Sequence, residues 1–270
     1  MKRYRTINLR ITPRPKHFKR RRKKIKNFFK NTLKLLFILI IVSSLGFLGK
    51  WFYEFLHTSS SFNIEEIDIQ GLNRLKEKEI LNLLSLDLPQ NIFYIDLKEA
   101  RKRIEIHPRI AEAIIHRRPP KRVIIQVRER EPIALINQKD SFLGVDVSGV
   151  PFPLIEPLKE IDLPLITGIS SSEIVIGEES NSTGLKMALD ILKVILSLKG
   201  DLYGQVSEIN VEDGITLYTI EATRVRMGRE NFREQLLNLQ GVLIHLNKEK
   251  KKAEYIDLRF KNKVIVKERK

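Results

Sequence analysis

The most constraining feature of this sequence is the contrast between its N-terminal segment and the rest. The first 34 residues contain 15 Lys and Arg and no acid, and Leu35–Gly49 is then apolar apart from two serines. The whole chain holds 49 basic and 33 acidic residues, so the remainder is nearly neutral. Because Lys and Arg resist translocation, we predict a cytoplasmic tail at 1–32, a membrane helix at 33–53 and a body outside the membrane.

The apolar run is short for a membrane span. Its 15 residues reach only about 22 Å as a helix, whereas a bilayer core needs about 20 residues. Lys34 and Lys50 can extend their side chains to the interface and lengthen the span, and Trp51 and Tyr53 suit the interfacial aromatic belt. No small-x-small cleavage site follows. An uncleaved anchor is therefore favoured over a signal peptide.

We interpret the basic tail as a solvated topogenic signal. The run Arg20–Lys24 would also attract anionic lipid at about 1 kcal/mol per charge. Nucleic-acid binding needs aromatic side chains placed for stacking, and Tyr4, Phe18, Phe28 and Phe29 are too scattered for that. The sequence thus predicts contact with a membrane and no nucleic acid.

Residue types that carry chemistry are not arranged as in known active sites. There is no cysteine, no motif of a serine nucleophile or phosphate loop, and no pair of histidines spaced as metal ligands. Glu129 and Glu131 are two apart on a predicted strand end between arginines, which we interpret as a solvated charge ladder. Asp146 precedes Gly149 in a predicted turn, where Asp serves backbone hydrogen bonds. We predict no catalytic, cofactor-binding or metal-binding residues.

The body begins with signals for a small α+β domain. His57–Ser61 is predicted to be a polar linker. Alternation and turn residues then predict a strand ending at Gly71, a helix, a second helix opened by the Asp96 capping box, and two strands around two prolines. The predicted elements are Ile67–Ile69, Lys76–Leu86, Asp96–Glu105, Ile110–His116 and Val123–Val127.

These residues resemble a known family. Gly71, Asn91-Ile92-Phe93, Asp96-Leu97, Pro108, Pro120 and Val127–Ala134 are similar to the POTRA domain of the FtsQ/DivIB bacterial cell-division proteins. Arg109 and Pro119 stand where that family usually has tryptophan. The resemblance implies a POTRA domain at 62–131, directly after a single membrane anchor.

The second half resembles the same family. Leu143–Phe152 is similar to its short hairpin, Leu163–Gly168 to its "LP-x-[LI]-x-G" step, and Tyr255–Val266 to its terminal "Y-[VI]-DLR-[YF]" hairpin. Alternation in this last stretch predicts that Ile256, Leu258 and Phe260 share one face, as a sheet lying on helices requires. A polar stripe of Lys186, Asp190, Lys193 and Ser197 predicts one amphipathic helix, ending at a C′ glycine, Gly200, and an apolar stripe predicts a second over Phe232–Leu246. Between them, Val206–Val211 and Ile215–Ile220 flank Glu212-Asp213-Gly214, which predicts a hairpin. The fold class is therefore α+β, with an FtsQ-type β domain at 132–267 built on a largely antiparallel sheet.

The resemblance implies a scaffold of the cell-division machinery. Such a protein would be a single-pass inner-membrane protein of the division septum, with its N-terminus in the cytoplasm and its C-terminal domain in the periplasm or wall space. It would hold FtsB- and FtsL-like bitopic division proteins, by β-strand addition near its C-terminus. The implied partner-binding residues are Arg259, Phe260, Lys263, Val264 and Tyr255.

The sequence leaves three points open. The lysines around the terminal hairpin would either protect an edge strand or attract an acidic partner. The POTRA domain would recruit other division proteins through an unassigned surface, with Arg117-Arg118 as an accessible turn. The alternatives in function are a POTRA-type assembly or secretion protein, which would need a β-barrel after its POTRA repeats, and a membrane-anchored cell-wall enzyme.

Overall fold

A computed structural model describes residues 17–86, 88–138, 141–155, 157, 159, 161–261 and 263–269, and over 17–25 it describes the backbone alone. Half of the predicted tail and Asn262 of the terminal hairpin lie outside these residues. The chain divides into two compact units, Met1–Phe62 and Asn63–Lys270.

The first unit contains one long helix, α1, over His17–Thr58. Its part from Lys26 to Thr58 is long and apolar enough to cross a membrane, and the most apolar stretch is exposed along its whole length. The helix is longer at both ends than the predicted span. The predicted linker at 57–61 is wrong, because the helical hydrogen bonds continue through Ser59, whose N–H donates to the Phe55 carbonyl (3.0 Å), and Ser60–Phe62 forms a 3-10 turn.

The second unit begins with a strand, two helices and two strands, as predicted. These are β1 (Glu66–Gln70), α2 (Glu77–Leu84), α3 (Leu97–Glu105), β2 (Ile110–Arg118) and β3 (Arg122–Glu129). The three strands form one sheet in the order β1-β3-β2, with β1 parallel and β2 antiparallel to β3. Both helices place their apolar face in a small core that buries Ile80, Leu84 and Ile104.

The capping prediction for α3 is confirmed. The Asp96 carboxylate accepts hydrogen bonds from the N–H groups of Lys98 (2.9 Å) and Glu99 (3.1 Å). These bonds satisfy two donors that a helix start leaves without an intrahelical partner.

The rest of the chain forms a nine-stranded sheet with two helices. Its strands are β4 (Ala134–Gln138), β5 (Ser141–Val145), β6 (Pro151–Pro153), β7 (Leu165–Thr167), β8 (Val206–Asn210), β9 (Ile215–Thr219), β10 (Arg224–Met227), β11 (Ala253–Asp257) and β12 (Ile265–Glu268). Their order is β12-β11-β10-β9-β8-β7-β4-β5-β6. Antiparallel pairs predominate, and the predicted hairpin β8–β9 is confirmed.

The helices α4 (Thr183–Ser197) and α5 (Phe232–Lys248) share one apolar core with this sheet. The apolar stripe predicted for α5 is confirmed at Leu236, Leu239 and Leu246, which are buried. The prediction that Gly200 is the C′ residue of α4 is wrong. The helix ends at Ser197 and Leu198 is already extended, so Gly200 lies one residue beyond the C′ position, with φ +114°.

Candidate functional site

The terminal strand β12 is one edge of the nine-stranded sheet. On one side it pairs with β11 in antiparallel register, with Ile256 opposite Val266 and Asp257 opposite Ile265. On its other side no strand follows within the part of the chain that the structure describes. An edge strand leaves a row of backbone donors and acceptors available for pairing with another chain.

The short run before this edge is fixed by one carboxylate. Asp257 ends β11 and is almost fully buried, and its Oδ2 accepts hydrogen bonds from the Tyr255 hydroxyl (2.8 Å) and Arg259 Nη2 (2.6 Å). Its Oδ1 accepts from Arg259 Nε (2.9 Å) and from the Arg259 backbone N–H (3.1 Å). Arg259 thus returns toward the strand, and the chain turns there to reach β12.

The electrostatics of this cluster follow from the same contacts. The hydrogen bond from Arg259 lowers the pKa of Asp257 to about 2, and the Arg259 and Tyr255 donors outweigh the opposing effect of burial. The Asp257 carboxylate is therefore ionised at neutral pH and holds the guanidinium in a two-point contact. The side chain of Arg259 remains 46% exposed whereas that of Asp257 is 5% exposed, so the arginine can still meet a partner.

The predicted strand alternation ends earlier than expected. We expected Phe260 to share a buried face with Ile256 and Leu258, but β11 ends at Asp257. Leu258 is buried, whereas Phe260 lies in the turn and is 49% exposed. The turn frees this aromatic side chain from the core, which makes Phe260 a stronger candidate for contact than its predicted position implied.

The other predicted contact residues fall into two groups. Lys263 is exposed just before β12, and Val264 packs partly against the core. Tyr255 lies on β11, between β10 and β12, and therefore not at the edge. Sequence reasoning missed Ile265, which is 49% exposed on the edge strand itself. Its signal was the inward alternation of Val264 and Val266, which directs Ile265 outward.

The lysines of this region also divide into two groups. Lys267 pairs with Glu254 (2.8 Å), Lys252 with Glu221 (3.1 Å), and Lys251 with Glu249 and Glu268. Lys261 and Lys263 have no acidic partner among the described residues. Pairing within the chain accounts for the first group. Lys261 and Lys263 are available to attract an acidic partner, and so are the exposed Lys248 and Lys250 before β11, which have no acidic partner among the described residues.

A second acid–arginine pair lies where the POTRA strands meet the larger sheet. Arg130 follows β3, and its Nη1 donates to Asp146 Oδ2 (2.6 Å), with side-chain exposures of 14% and 9%. Its Nε donates to the Pro108 carbonyl (3.1 Å). Asp146 Oδ1 accepts from Ser148 and from the Val150 N–H, which confirms its predicted use in a turn.

These contacts make the junction a packed connection. Burial raises the pKa of Asp146, but the hydrogen bonds from Ser148, Val150 and Arg130 together lower it below its ordinary value. The Asp146 carboxylate is therefore charged and neutralised inside the molecule. Arg130 links it to both the POTRA helix end and the larger sheet.

Arg109 crosses the same junction from the other side. It stands where the resembled family usually has tryptophan, and it is buried, with its guanidinium 5.3 Å from the ring centroid of Phe152. Its Nη1 donates to the Pro153 carbonyl (2.8 Å), whereas Nε and Nη2 have no partner among the described residues. Burial lowers the pKa of Arg109. The cation thus occupies an aromatic residue's place and packs on an aromatic ring.

Two predictions about surface charges on the strands β2 and β3 are wrong. Glu129 is buried rather than solvated, and its Oε1 accepts from the N–H groups of Asn73, Arg74 and Leu75. Arg117 is not an accessible turn residue, because its guanidinium donates to the carbonyls of Ile92 (2.9 Å) and Ile95 (2.6 Å). Both side chains hold loops of the POTRA domain, and Arg118 alone of the predicted turn pair is exposed in a strand.

The comparison with known proteins agrees with this architecture. A POTRA domain, FtsQ-type, matches residues 62–130, and the cell division protein FtsQ/DivIB C-terminal domain matches residues 134–259. Cell division protein FtsQ of Syntrophotalea carbinolica is 32% identical over 217 residues, which are 79% of this chain and 77% of that protein. FtsQ of Geotalea daltonii is 27% identical over 90% of this chain and 89% of its own length.

A third relative carries the other name of the family. Cell division protein DivIB of Clostridium tetani is 24% identical over 76% of this chain and 79% of its own length. Both domain matches, together with 32% identity over more than two thirds of one relative, show that this chain belongs to the FtsQ/DivIB family of bacterial cell-division proteins.

Proposed function

We propose that this chain is a membrane-anchored scaffold of the division machinery that holds FtsB- and FtsL-like bitopic partners through strand addition to β12, and that it does no chemistry of its own. The observation that carries the proposal is the position of β12, the last strand of its sheet with its outer side uncovered in the described residues. Strand addition gives affinity through backbone hydrogen bonds and specificity through neighbouring side chains.

The side chains around this edge suit a partner strand with apolar and acidic residues. Phe260 and Ile265 provide exposed apolar surface at the start of β12, and Lys261 and Lys263 provide positive charge between them. Arg259 adds a third positive group, and its contact with Asp257 fixes the orientation of its guanidinium. A partner strand would therefore place apolar residues against Phe260 and Ile265 and a carboxylate near the two lysines.

The anchor and its orientation are part of the same proposal. The apolar part of α1 would cross the inner membrane, with the basic tail in the cytoplasm and residues 54–270 in the periplasm or wall space at the septum. The excess of Lys and Arg on one side of the apolar run supports this orientation. The POTRA domain would recruit further division proteins, and Arg118 rather than Arg117 is its exposed basic position at the end of β2.

Binding between the envelope fragment (residues 54–270) and the soluble envelope segments of the FtsB- and FtsL-like proteins tests the proposal. A fragment ending at Glu254 would lose the buried Ile256 and Leu258 and with them part of the core. Point variants are therefore better. We expect Phe260→Ala with Ile265→Ser to weaken binding at least tenfold while the fragment keeps its unfolding midpoint.

A matched control lies near the opposite edge of the same sheet. Val147 is an exposed apolar residue in the turn between β5 and β6. We expect Val147→Ser to bind as the unchanged fragment does. Equal loss of binding in both variants, or no binding by the folded fragment, would sink the assignment of the site to β12.

A further inference from the structure

The N-terminal part of α1 carries a row of lysines on one side of a continuous helix. Lys26, Lys30 and Lys34 are four residues apart and are all exposed. At 3.6 residues per turn they fall within about 80° of arc. We call Lys26, Lys30 and Lys34 the lysine stripe.

The two ends of the apolar run differ in how their charge is balanced. At the far end, Lys50 lies 3.8 Å from Glu54 one turn away. At the near end, the 34 residues up to Lys34 contain no acid, and the lysines of the stripe have no acidic partner in the part of the chain that is described. The near end therefore carries uncompensated positive charge directly beside the apolar segment.

The stripe is short enough to act at the membrane surface. From Lys34 to Lys26 the helix rises about 12 Å. The headgroup layer is about 5–7 Å thick on each side of the hydrocarbon core, and the Debye length at physiological ionic strength is about 8 Å. All three ammonium groups thus lie in or within one Debye length of the headgroups when Lys34 marks the boundary.

We propose that the lysine stripe binds the headgroups of anionic phospholipids and gathers such lipids around the anchor. The inference rests on the anchoring part of the proposed function, and on neither the partner nor the direction of insertion. Charge complementarity favours a lipid surface, because three exposed cations lie within one Debye length of the anionic headgroups and directly beside the apolar segment that enters the bilayer. A protein partner for the stripe would be a different outcome and would contradict the proposal.

The test uses the full chain in vesicles of phosphatidylcholine with a minor share of phosphatidylglycerol. Trp51 is the single tryptophan of the chain. Combining Trp51→Phe with Phe37→Trp therefore moves the fluorophore into the apolar run, about one helical turn from Lys34. Quenching of the tryptophan fluorescence is measured in two vesicle preparations. In the first the phosphatidylglycerol carries bromine on its acyl chains, and in the second an equal share of the phosphatidylcholine carries it. We expect the brominated anionic lipid to quench more, and the excess to shrink in high salt.

Charge-neutralising variants make the test specific. Each change among Lys26→Gln, Lys30→Gln and Lys34→Gln should reduce the preference for anionic lipid by up to about fivefold, and the triple variant should lose all three contributions and keep only the part that Arg20–Lys24 supply. The matched control is Lys50→Gln, which should leave the preference unchanged. Equal quenching by both lipids in the unchanged chain, or a triple variant whose preference equals that of the unchanged chain, overturns the proposal.

One control separates this proposal from the anchor on which it rests. Alkaline carbonate extracts proteins that are only adsorbed to vesicles. A chain that is extracted would contradict the membrane anchor itself. A chain that is retained but shows no preference for anionic lipid would contradict the lysine stripe and leave the anchor standing.

Discussion

Two acid–arginine pairs of the same length do different things in this molecule. Arg130–Asp146 and Arg259–Asp257 both close at 2.6 Å. In the first pair both partners are nearly buried, whereas in the second the arginine remains half-exposed. Burial therefore distinguishes a pair that holds two domains together from one that presents a cation beside an open sheet edge. Contact distance alone would have placed them in the same class.

The largest effect should follow from breaking the buried pair. In Arg130→Met the Asp146 carboxylate stays charged and buried without its cation, so we expect a loss of about 3–5 kcal/mol in the free energy of unfolding. Urea denaturation of the envelope fragment measures it. Arg130→Met with Asp146→Asn should recover part of the loss, and a loss below about 1 kcal/mol in the single variant would mean that the junction is not held by this pair.

Acid should weaken the terminal cluster in a defined window. Asp257 has a pKa of about 2 in the folded protein, below the usual value near 3.9 in an unfolded chain. Its contribution is complete above the unfolded value and is lost as pH falls toward the folded one. Between pH 4.5 and pH 2 the unchanged fragment should lose about 2 kcal/mol or less of its free energy of unfolding through protonation of Asp257. Asp257→Asn should lack this part of the pH dependence, which is measured by comparing denaturation series of the two proteins across that range.

The exposed partner of the same pair should matter less to stability. In Arg259→Ala the Asp257 carboxylate keeps the Tyr255 hydroxyl and a backbone N–H, and half of the lost guanidinium surface was already in water. We expect a clearly smaller loss in the free energy of unfolding than that of Arg130→Met. A loss as large as that of Arg130→Met would erase the distinction between the two pairs.

Arg109 gives a comparison within the junction itself. Like Arg130 it is buried, but two of its nitrogens have no hydrogen-bond partner among the described residues. Arg109→Met removes an incompletely paired cation and keeps an unbranched side chain beside Phe152. We expect a change within about 1 kcal/mol, of either sign, by the same denaturation measurement. A large loss would show that its attraction to the Glu129 carboxylate is essential.

The smallest expected change in stability is at the turn beside the edge. Phe260 is half-exposed and outside the strand, so Phe260→Ala should alter the free energy of unfolding by no more than about 0.5 kcal/mol. The proposed function nevertheless expects it to weaken partner binding. Unchanged binding together with unchanged stability would leave Phe260 without a role.

Local patterns along the chain determined much of this protein. The basic segment before an apolar run, the order β-α-α-β-β, the cap at Asp96, the hairpin β8–β9 and the stripe on α5 each depend on neighbours within a few residues. Such features are set by backbone geometry and side-chain periodicity. The family resemblance added the domain order and the region of the terminal hairpin.

The tertiary structure decided what each polar residue does. Glu129 lies within the charged run Arg128–Glu131, yet it is buried because three N–H groups from a loop more than fifty residues earlier converge on it. Arg117, Arg109 and Arg130 likewise acquire their partners only when distant segments meet. The end of β11 at Asp257, which exposes Phe260, depends on a carboxylate that turns the chain back.

The same reasoning applies to the edge that carries the proposed function. Alternation along β12 predicts which side chains point inward, but no pattern within one strand tells whether another strand lies beside it. The neighbours of a strand are set by the spatial order of the nine strands in the sheet, which depends on backbone hydrogen bonds between segments far apart in sequence. Sequence thus determined the strands and helices, and long-range pairing decided which strand was left at the edge.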